Sequence, residues 1–396
     1  MKLKDRLFIT VILFISLQWA YFRFTGTHLA PPWNAISPGI AIFGAAFLLS
    51  WGAELAQFEI PQALAIAFLA LVAVLPEYAV DMYFAWEAGK DPQYIHYATA
   101  NMTGANRLLI GLGWAAVVLT SWFKTGSKQV KLGSENRLEI SALLVATLYS
   151  FIIPIKGSLS WFDTIILLSI FAVYIYQTTQ SHHEEPNIEG PIESIAHWKR
   201  GPRVMATLVF FFISGFIIFI AAEPFAEGLL ETGRHLGVEE FLLVQWLAPL
   251  ASESPEFIVA ILFALRAQAK SSLSTLVSSK VNQWTLLVGM LPLIYNISAG
   301  HFHPMVLDSR QSEELLLTSA QSLFALVIIA NLSFSVLEAT ILMALFVTQL
   351  FFTTTEARTL YAYVYLLFSL LWLIASPSSR HGLMISLQRS WRKVPE

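Results

Sequence analysis

Two carboxylates lie in the middle of an apolar stretch that runs from residue 241 to residue 265. They are Glu253 and Glu256, which flank Pro255, and the stretch is long enough to cross a membrane as a helix. A charged carboxylate at the centre of a membrane helix costs roughly 2.5 to 3.5 kcal/mol, so such a residue marks a functional site. Proline removes a backbone N–H donor and frees carbonyl oxygens one turn earlier. The stretch therefore predicts a broken membrane helix with an ion site near the middle of the bilayer.

A second copy of this pattern occurs 179 residues earlier in the chain. Glu77 follows a proline as Glu256 does, and six of the thirteen residues from 76 to 88 are identical to their counterparts from 255 to 267. Unrelated apolar segments share fewer identities by chance, so the agreement indicates an internal duplication.

The composition is that of a membrane protein with many spans. Of the 396 residues, 56% are hydrophobic and 13% are charged. The net charge of −3 provides no basic surface for nucleic acid, so we expect no nucleic-acid partner. The absence of cysteine excludes disulfides, thiolate metal sites and cysteine nucleophiles. The longest polar stretch, at about 177–203, is too short to enclose a soluble core.

Twelve apolar segments of spanning length follow one another along the chain. They are 7–23, 39–56, 61–86, 94–119, 138–153, 160–177, 204–222, 241–266, 273–297, 313–331, 333–352 and 359–375. With a cytoplasmic amino terminus, the inner loops contain 16 Lys and Arg residues and the outer loops contain six, among them Arg310 and Arg358. This bias follows the positive-inside rule and makes the Glu77 and Glu256 spans run in opposite directions.

The sequence therefore predicts an all-α integral membrane protein with about twelve transmembrane helices. Two inverted five-helix repeats form its body, and one extra helix is added at each end. The predicted parts are an extra helix in 1–30, repeat one in 39–177, a cytoplasmic linker in 178–203, repeat two in 204–352, and an extra helix with a basic tail in 353–396. We expect the protein to lie in the lipid bilayer of the plasma membrane with both termini in the cytoplasm.

Two motifs give the chain its resemblance to the cation/calcium antiporter superfamily, which includes the sodium/calcium exchangers. The family's first motif, Gly-(Thr/Ser)-Ser-x-Pro-Glu, corresponds to 72–77 and 251–256, and only Pro-Glu is kept in both copies. The second motif, Gly-Asn-x-x-Gly-Ser-Asn, corresponds to 100–106 and more loosely to 274–280. The resemblance implies a secondary active cation antiporter that works by alternating access and is coupled to Na⁺ or H⁺.

The resemblance also implies the site residues, since motif hydroxyls, glutamates and amides ligate the ion in that family. Glu77 and Glu256, one from each repeat, are expected to bind the metal ion near the midplane. The further expected ion ligands are the polar motif residues Glu253, Asn106, Ser252, Ser279 and Gln283. We expect Asp81 and Asn101 to line a vestibule. The only expected partners besides lipid are inorganic cations, and no cofactor is expected.

Several positions depart from the family pattern and bear on the choice of ion. Where that family has ligands, repeat one has Ala73, Val74, Ala105 and Leu109. The three glutamates contribute −3 and Arg107 with Lys280 contributes +2, which leaves −1. Calcium prefers six to eight oxygens with several carboxylates, so this sum favours a monovalent ion or a proton. Calcium export of the family's ordinary kind is the alternative, and a non-transporting ion sensor is a second one.

The two buried cations are expected to compensate charge or couple ions, and each has two interpretations. Arg107 pairs with an acid as scaffold, or it lines the ion path. Lys280 stands where the family has an asparagine, so it is either a tethered cation that an arriving ion displaces or a fixed partner of Glu253. An intramembrane enzyme that uses Glu253 and Glu256 needs a second catalytic group, and the sequence offers none. We therefore expect no enzymatic activity.

Overall fold

The structure is a computed structural model that describes residues 3–59, 75–180 and 190–389. The first half of the first motif in repeat one, including Ala73 and Val74, lies outside the described residues, as do the start of the predicted span 61–86 and the middle of the linker.

The described chain consists almost entirely of helices. In the first half they are α1 (Leu3–Thr25), α2 (Trp33–Ala56), α3 (Leu75–Ala88), α4 (Tyr94–Leu108), the π-helical segment π1 (Leu109–Trp114), α5 (Ala115–Thr125), a 3₁₀ turn (Ser134–Asn136), α6 (Arg137–Ser150), α7 (Ile152–Lys156) and α8 (Trp161–Gln180). In the second half they are α9 (Glu193–Ala196), α10 (Arg200–Leu236), α11 (Glu240–Leu265), α12 (Ala269–Asn282), π2 (Gln283–Leu287), α13 (Val288–Ala299), α14 (Ser309–Ile329), α15 (Val336–Gln349), α16 (Thr355–Ala375) and α17 (Pro377–Arg389). This confirms the predicted all-α class.

Nine helical segments in the described part of the chain are long and apolar enough to cross a membrane. Three of the twelve predicted spans are not among them. One of these is only partly described and ends in α3, one is the helix from Ala269 to Ala299 with its polar first half, and one is α15 with 14 residues. The count of twelve stays a prediction.

The described residues form two compact units, one from 1–84 and 175–255 and the other from 85–174 and 256–396. Each unit therefore contains segments from both predicted repeats. The boundaries fall inside helices, after Phe84 in α3 and after Pro255 in α11.

In the first unit, α2 packs along α10. Gly228 permits a close approach, because a Cβ atom there would lie 2.6 Å from the carbonyl oxygen of Asn34. The sequence predicts the end of this span near residue 222, but α10 continues as a helix to Leu236. Its last turns keep a buried apolar face that includes Phe225 and Leu229, which is why the helix does not end where the acidic residues begin.

In the second unit, the buried helix α14 lies at the centre. It packs against α4, α6, α7 and α16, and most of its residues are buried. Its start is fixed by a capping box. The Asp308 side chain accepts from the backbone N–H of Gln311 at 2.7 Å, and the Gln311 side-chain oxygen accepts from the backbone N–H of Asp308 at 2.9 Å.

Two short antiparallel ladders in the second unit join loops that are far apart in the sequence. Strand β1 (Gln129–Lys131) pairs with β4 (Ser333–Ser335), and β2 (Ser158–Leu159) pairs with β3 (Met305–Val306). In both pairs, one strand comes from each predicted repeat. The members of a pair must lie on the same side of the membrane, because a ladder cannot be made through the bilayer.

Candidate ion-binding site

Two helices of the second unit carry the second motif and its looser copy. Their equivalent residues are 174 apart and not 179, because the chain from Glu256 to Lys280 is five residues shorter than the chain from Glu77 to Asn106. With this spacing, π1 begins at Leu109 and π2 begins at Gln283, so both helices change to π geometry at the same position. Single π turns occur frequently at functional sites. The duplication seen in the sequence thus extends to an uncommon backbone feature.

The carbonyl groups just before each π segment receive side-chain hydrogen bonds. The carbonyl oxygen of Arg107 accepts from Gln321 Nε2 at 3.1 Å, and that of Val281, its equivalent, accepts from Thr285 Oγ1 at 2.6 Å. A π turn interrupts the regular pairing of a carbonyl with the N–H four residues later, so these donors stabilise the irregular turn.

Asn106 and Lys280 occupy equivalent positions in the two helices and contact each other. Lys280 Nζ donates to Asn106 Oδ1 at 2.5 Å, and the ammonium lies 4.3 Å from the ring centre of Trp284. Both side chains are almost fully buried, with 1% of Lys280 and 0% of Asn106 exposed. Asn106 Nδ2 donates to the Met102 carbonyl at 2.8 Å, which orients the amide oxygen toward the lysine. Glu253 belongs to the other unit, so its predicted pairing with Lys280 stays a prediction.

Glu256 begins the second unit and contacts a predicted ligand from α12. Ser279 Oγ donates to Glu256 Oε2 at 2.9 Å. A hydroxyl next to a carboxylate presents two kinds of oxygen that hard cations prefer. The structure therefore brings together two of the predicted ion ligands.

Helix α11 is continuous from Glu240 to Leu265, so the expectation of a broken helix at Pro255 is wrong. Prolines at 249 and 255 remove two backbone donors, yet nearby hydroxyls donate to carbonyls within the same helix. Ser252 Oγ donates to the Ala248 carbonyl at 3.1 Å, and Ser254 Oγ donates to the Leu250 carbonyl. These acceptors lie four residues before the serines and are not the carbonyls from which the prolines remove an N–H donor, so the helix is continuous through both prolines without a direct replacement of those donors by these hydroxyls.

The remaining predicted site residues are all buried. In the first unit Glu77 is 3% exposed, Asp81 is 0% exposed, and Glu253 is 2% exposed. In the second unit Asn101 lies in α4 and Gln283 begins π2, and both are buried. Glu77 and Glu256 fall in different units, so their meeting at one site stays a prediction. In the described ranges, no three His, Asp or Glu side chains come together as a metal-binding group.

Arg107 pairs with an acid that the sequence reasoning did not select. Its guanidinium forms an ion pair with Glu314 of α14, and Arg358 of α16 forms a second ion pair with the same carboxylate. Glu314 is 0% exposed. Arg358 was expected in an outer loop, and this is wrong, since it is buried in the first turns of α16 where Glu314 stabilises its charge. Glu314 lies at the start of the predicted span 313–331. An acid inside a membrane span marks a functional site, and this reason, which selected Glu77, applies to Glu314 as well.

Comparisons with known proteins agree with this architecture. A family model described as sodium/calcium exchanger protein matches residues 31–180 and 206–355. No curated protein sequence matches the chain. Among solved structures, the crystal structure of the H⁺/Ca²⁺ exchanger CAX is 45% identical over 98% of both chains, with a TM-score of 0.94.

More distant structures share the fold. Native YfkE is 13% identical, covers 91% of this chain and 99% of its own, and has a TM-score of 0.62. The sodium-calcium exchanger NCX_Mj, soaked with 2.5 mM Na⁺ and 10 mM Sr²⁺, is 15% identical over 81% of this chain and 98% of its own, with a TM-score of 0.55. Because the family model matches most of the chain in two segments, this integral membrane protein belongs to the sodium/calcium exchanger protein family of cation exchangers.

Proposed function

We propose that the protein is a proton-coupled calcium antiporter in which Glu77 and Glu256 bind the ion. Two considerations support this choice of ions. The relative with 45% identity is an H⁺/Ca²⁺ exchanger. Within the chain, the observation that carries the proposal is the ion pair between Arg107 and Glu314.

This ion pair changes the charge available to the ion. Summed over the candidate residues, three glutamates and two cations leave −1, which disfavours a divalent ion. Arg107 belongs to a separate buried cluster with Glu314 and Arg358, so its charge is counted with that cluster and not with the candidate ion ligands. Three negative charges and the one positive charge of Lys280 then leave −2, which matches one Ca²⁺. Two carboxylates with hydroxyl and amide oxygens also suit the preference of calcium for oxygen ligands.

With protons as the counter-ion, two glutamates have the same net charge in the Ca²⁺-loaded state and in the protonated state. A pair of ionised glutamates with one Ca²⁺ is neutral, and the same pair with two protons is neutral as well. Both loaded forms can change access without carrying a net charge through the low-dielectric interior, which is costly. The proposed activity moves ions without chemical conversion, so it needs no cofactor. The bias of Lys and Arg supports both termini being cytoplasmic.

Flux measurements on purified protein in proteoliposomes test this proposal. Vesicles with an acidic lumen should take up ⁴⁵Ca²⁺, and a pH-sensitive dye should report loss of internal protons in step with the uptake. In parallel vesicles at equal internal and external pH, the acidic lumen is replaced by a lumen loaded with Na⁺ or K⁺, so that the outward gradient of that ion is directed opposite to the uptake of Ca²⁺. Uptake driven by an opposed Na⁺ gradient at clamped pH would replace proton coupling with sodium coupling. Binding of Ca²⁺ without flux under every gradient would support the sensor alternative instead.

A further inference from the structure

Lys280 and Asn106 are related by the duplication, and yet one is a cation and the other an amide. Equivalent positions in the two copies of a duplicated segment start out with the same residue. Here the amide oxygen faces an ammonium group, and the separation of 2.5 Å is that of a direct hydrogen bond. The ammonium therefore occupies a ligand position that Asn106 would otherwise present to a cation.

The surroundings of the ammonium suit a permanently held cation. The face of Trp284 lies 4.3 Å away, and an indole ring attracts a cation through its quadrupole. The orientation of the Asn106 amide is fixed by the Met102 carbonyl, so the oxygen stays directed at Lys280. Ser279, the residue before Lys280 in α12, contacts Glu256, so the ammonium is carried by a helix that also presents a candidate ligand of the transported ion.

We propose that Lys280 is a resident cation that limits how much positive charge the protein binds from solution. It occupies the Asn106 amide oxygen and offsets one of the three candidate glutamates, so that the cargo carries two positive charges and no more. Lys280 is then a specificity-determining residue that excludes an additional monovalent cation beside Ca²⁺. This inference rests on the proposed function for the identity of the cargo, but the number of bound cations is measurable without transport.

Equilibrium binding of ⁴⁵Ca²⁺ and ²²Na⁺ to the purified full chain in detergent tests the inference. The wild-type protein should bind one Ca²⁺ and retain no Na⁺ when Ca²⁺ is saturating. Lys280→Asn restores an amide pair and removes the fixed charge, so it should retain about one additional Na⁺ beside Ca²⁺. Lys280→Arg keeps the charge and should show the wild-type number of cations. Lys270→Asn alters an exposed lysine of the same helix that pairs with Glu135, and it controls for loss of a surface charge.

Equal numbers of bound Na⁺ in the wild type and in Lys280→Asn would overturn the inference. A pair of variants covers the case in which Lys280→Asn does not fold. Glu253→Ser alone leaves the resident cation without its compensating charge, and Ca²⁺ should bind at least about tenfold more weakly. Adding Lys280→Asn to Glu253→Ser should restore that affinity, and equal affinity in the two variants would also reject the inference. Absence of proton coupling in the flux assay would reject the proposed function and leave these cation numbers unaffected.

Discussion

Arg107 and Glu314 form a buried ion pair although they are 207 residues apart in the chain. The pair joins α4, which carries the second motif, to the central helix α14 of the same unit. Arg358 contacts the same carboxylate from α16, a helix outside both predicted repeats. One acid therefore stabilises two buried guanidinium groups.

Glu314→Gln should destabilise the protein by about 3 to 5 kcal/mol, because it leaves two buried arginines without their carboxylate. Unfolding by SDS titration, or the midpoint of thermal unfolding in detergent, measures the loss. Glu356→Gln is the control, since this acid in the first turn of α16 is exposed and its loss should change the free energy of unfolding by less than about 1 kcal/mol. Equal stability of the two variants would contradict a structural role for Glu314.

Glu77→Gln and Glu256→Gln should each abolish calcium flux while expression and monodispersity stay close to the wild type. The amide keeps the shape of the side chain but cannot give up a proton or neutralise Ca²⁺, and a neutral buried group costs less than a charged one. Glu193→Gln changes an exposed acid of the first unit and should transport normally. Wild-type flux in either variant would show that the site does not depend on one glutamate from each repeat.

Ser279→Ala should weaken Ca²⁺ binding without unfolding the protein. It removes the hydroxyl that donates to Glu256 Oε2 at 2.9 Å and a candidate ion ligand at once. A hydrogen bond to a charged group contributes about 1.5 to 3 kcal/mol, which corresponds to a roughly 10- to 100-fold change in Kd. Ser271→Ala, at an exposed position of the same helix, should leave the Kd unchanged. A Kd for Ser279→Ala within twofold of the wild type would exclude Ser279 from the site.

Single cysteines can test the sidedness of the loops cleanly, because the chain has no cysteine of its own. Ser127→Cys and Ser181→Cys should react with an impermeant thiol reagent only after the cells are opened, since both lie in loops predicted to be cytoplasmic. Thr27→Cys, in a predicted outer loop, should react in intact cells. Labelling of residues 127 and 181 from outside would overturn the inverted repeats.

Gly111→Ala should destabilise the π segment of the first motif helix. A Cβ atom on Gly111 would overlap the ring of Phe346, which packs from α15. Overpacking of this kind costs about 1 to 3 kcal/mol. Gly215→Ala in α10 is the control, because a Cβ there meets no atom within 4 Å. Gly111→Ala should cost less stability in a Phe346→Ala background than in the wild type, and an equal cost in both backgrounds would argue against this contact.

The amino-acid sequence alone predicted the class and family of the protein. Runs of apolar residues identify membrane helices because each segment must satisfy its own backbone in lipid, which is a local requirement. The duplicated Pro-Glu pattern and the second motif identified the family, and they selected Ser279 and Glu256, which the structure brings into contact. The change to π geometry after each motif left no comparable sign in the sequence.

The partners of the buried charges were decided only by the tertiary structure. A buried arginine or lysine needs compensation, so the sequence could state that Arg107 and Lys280 require partners. Which partners they find depends on which helices pack together, and Glu314 and Asn106 each lie more than a hundred residues from the cation that they contact. Hydropathy and motif spacing describe one helix at a time, whereas the free energy of a desolvated charge is set by the neighbouring helices. That is the physical reason why the sequence identified the buried ionisable groups, and the packing of helices determined how their charges are balanced.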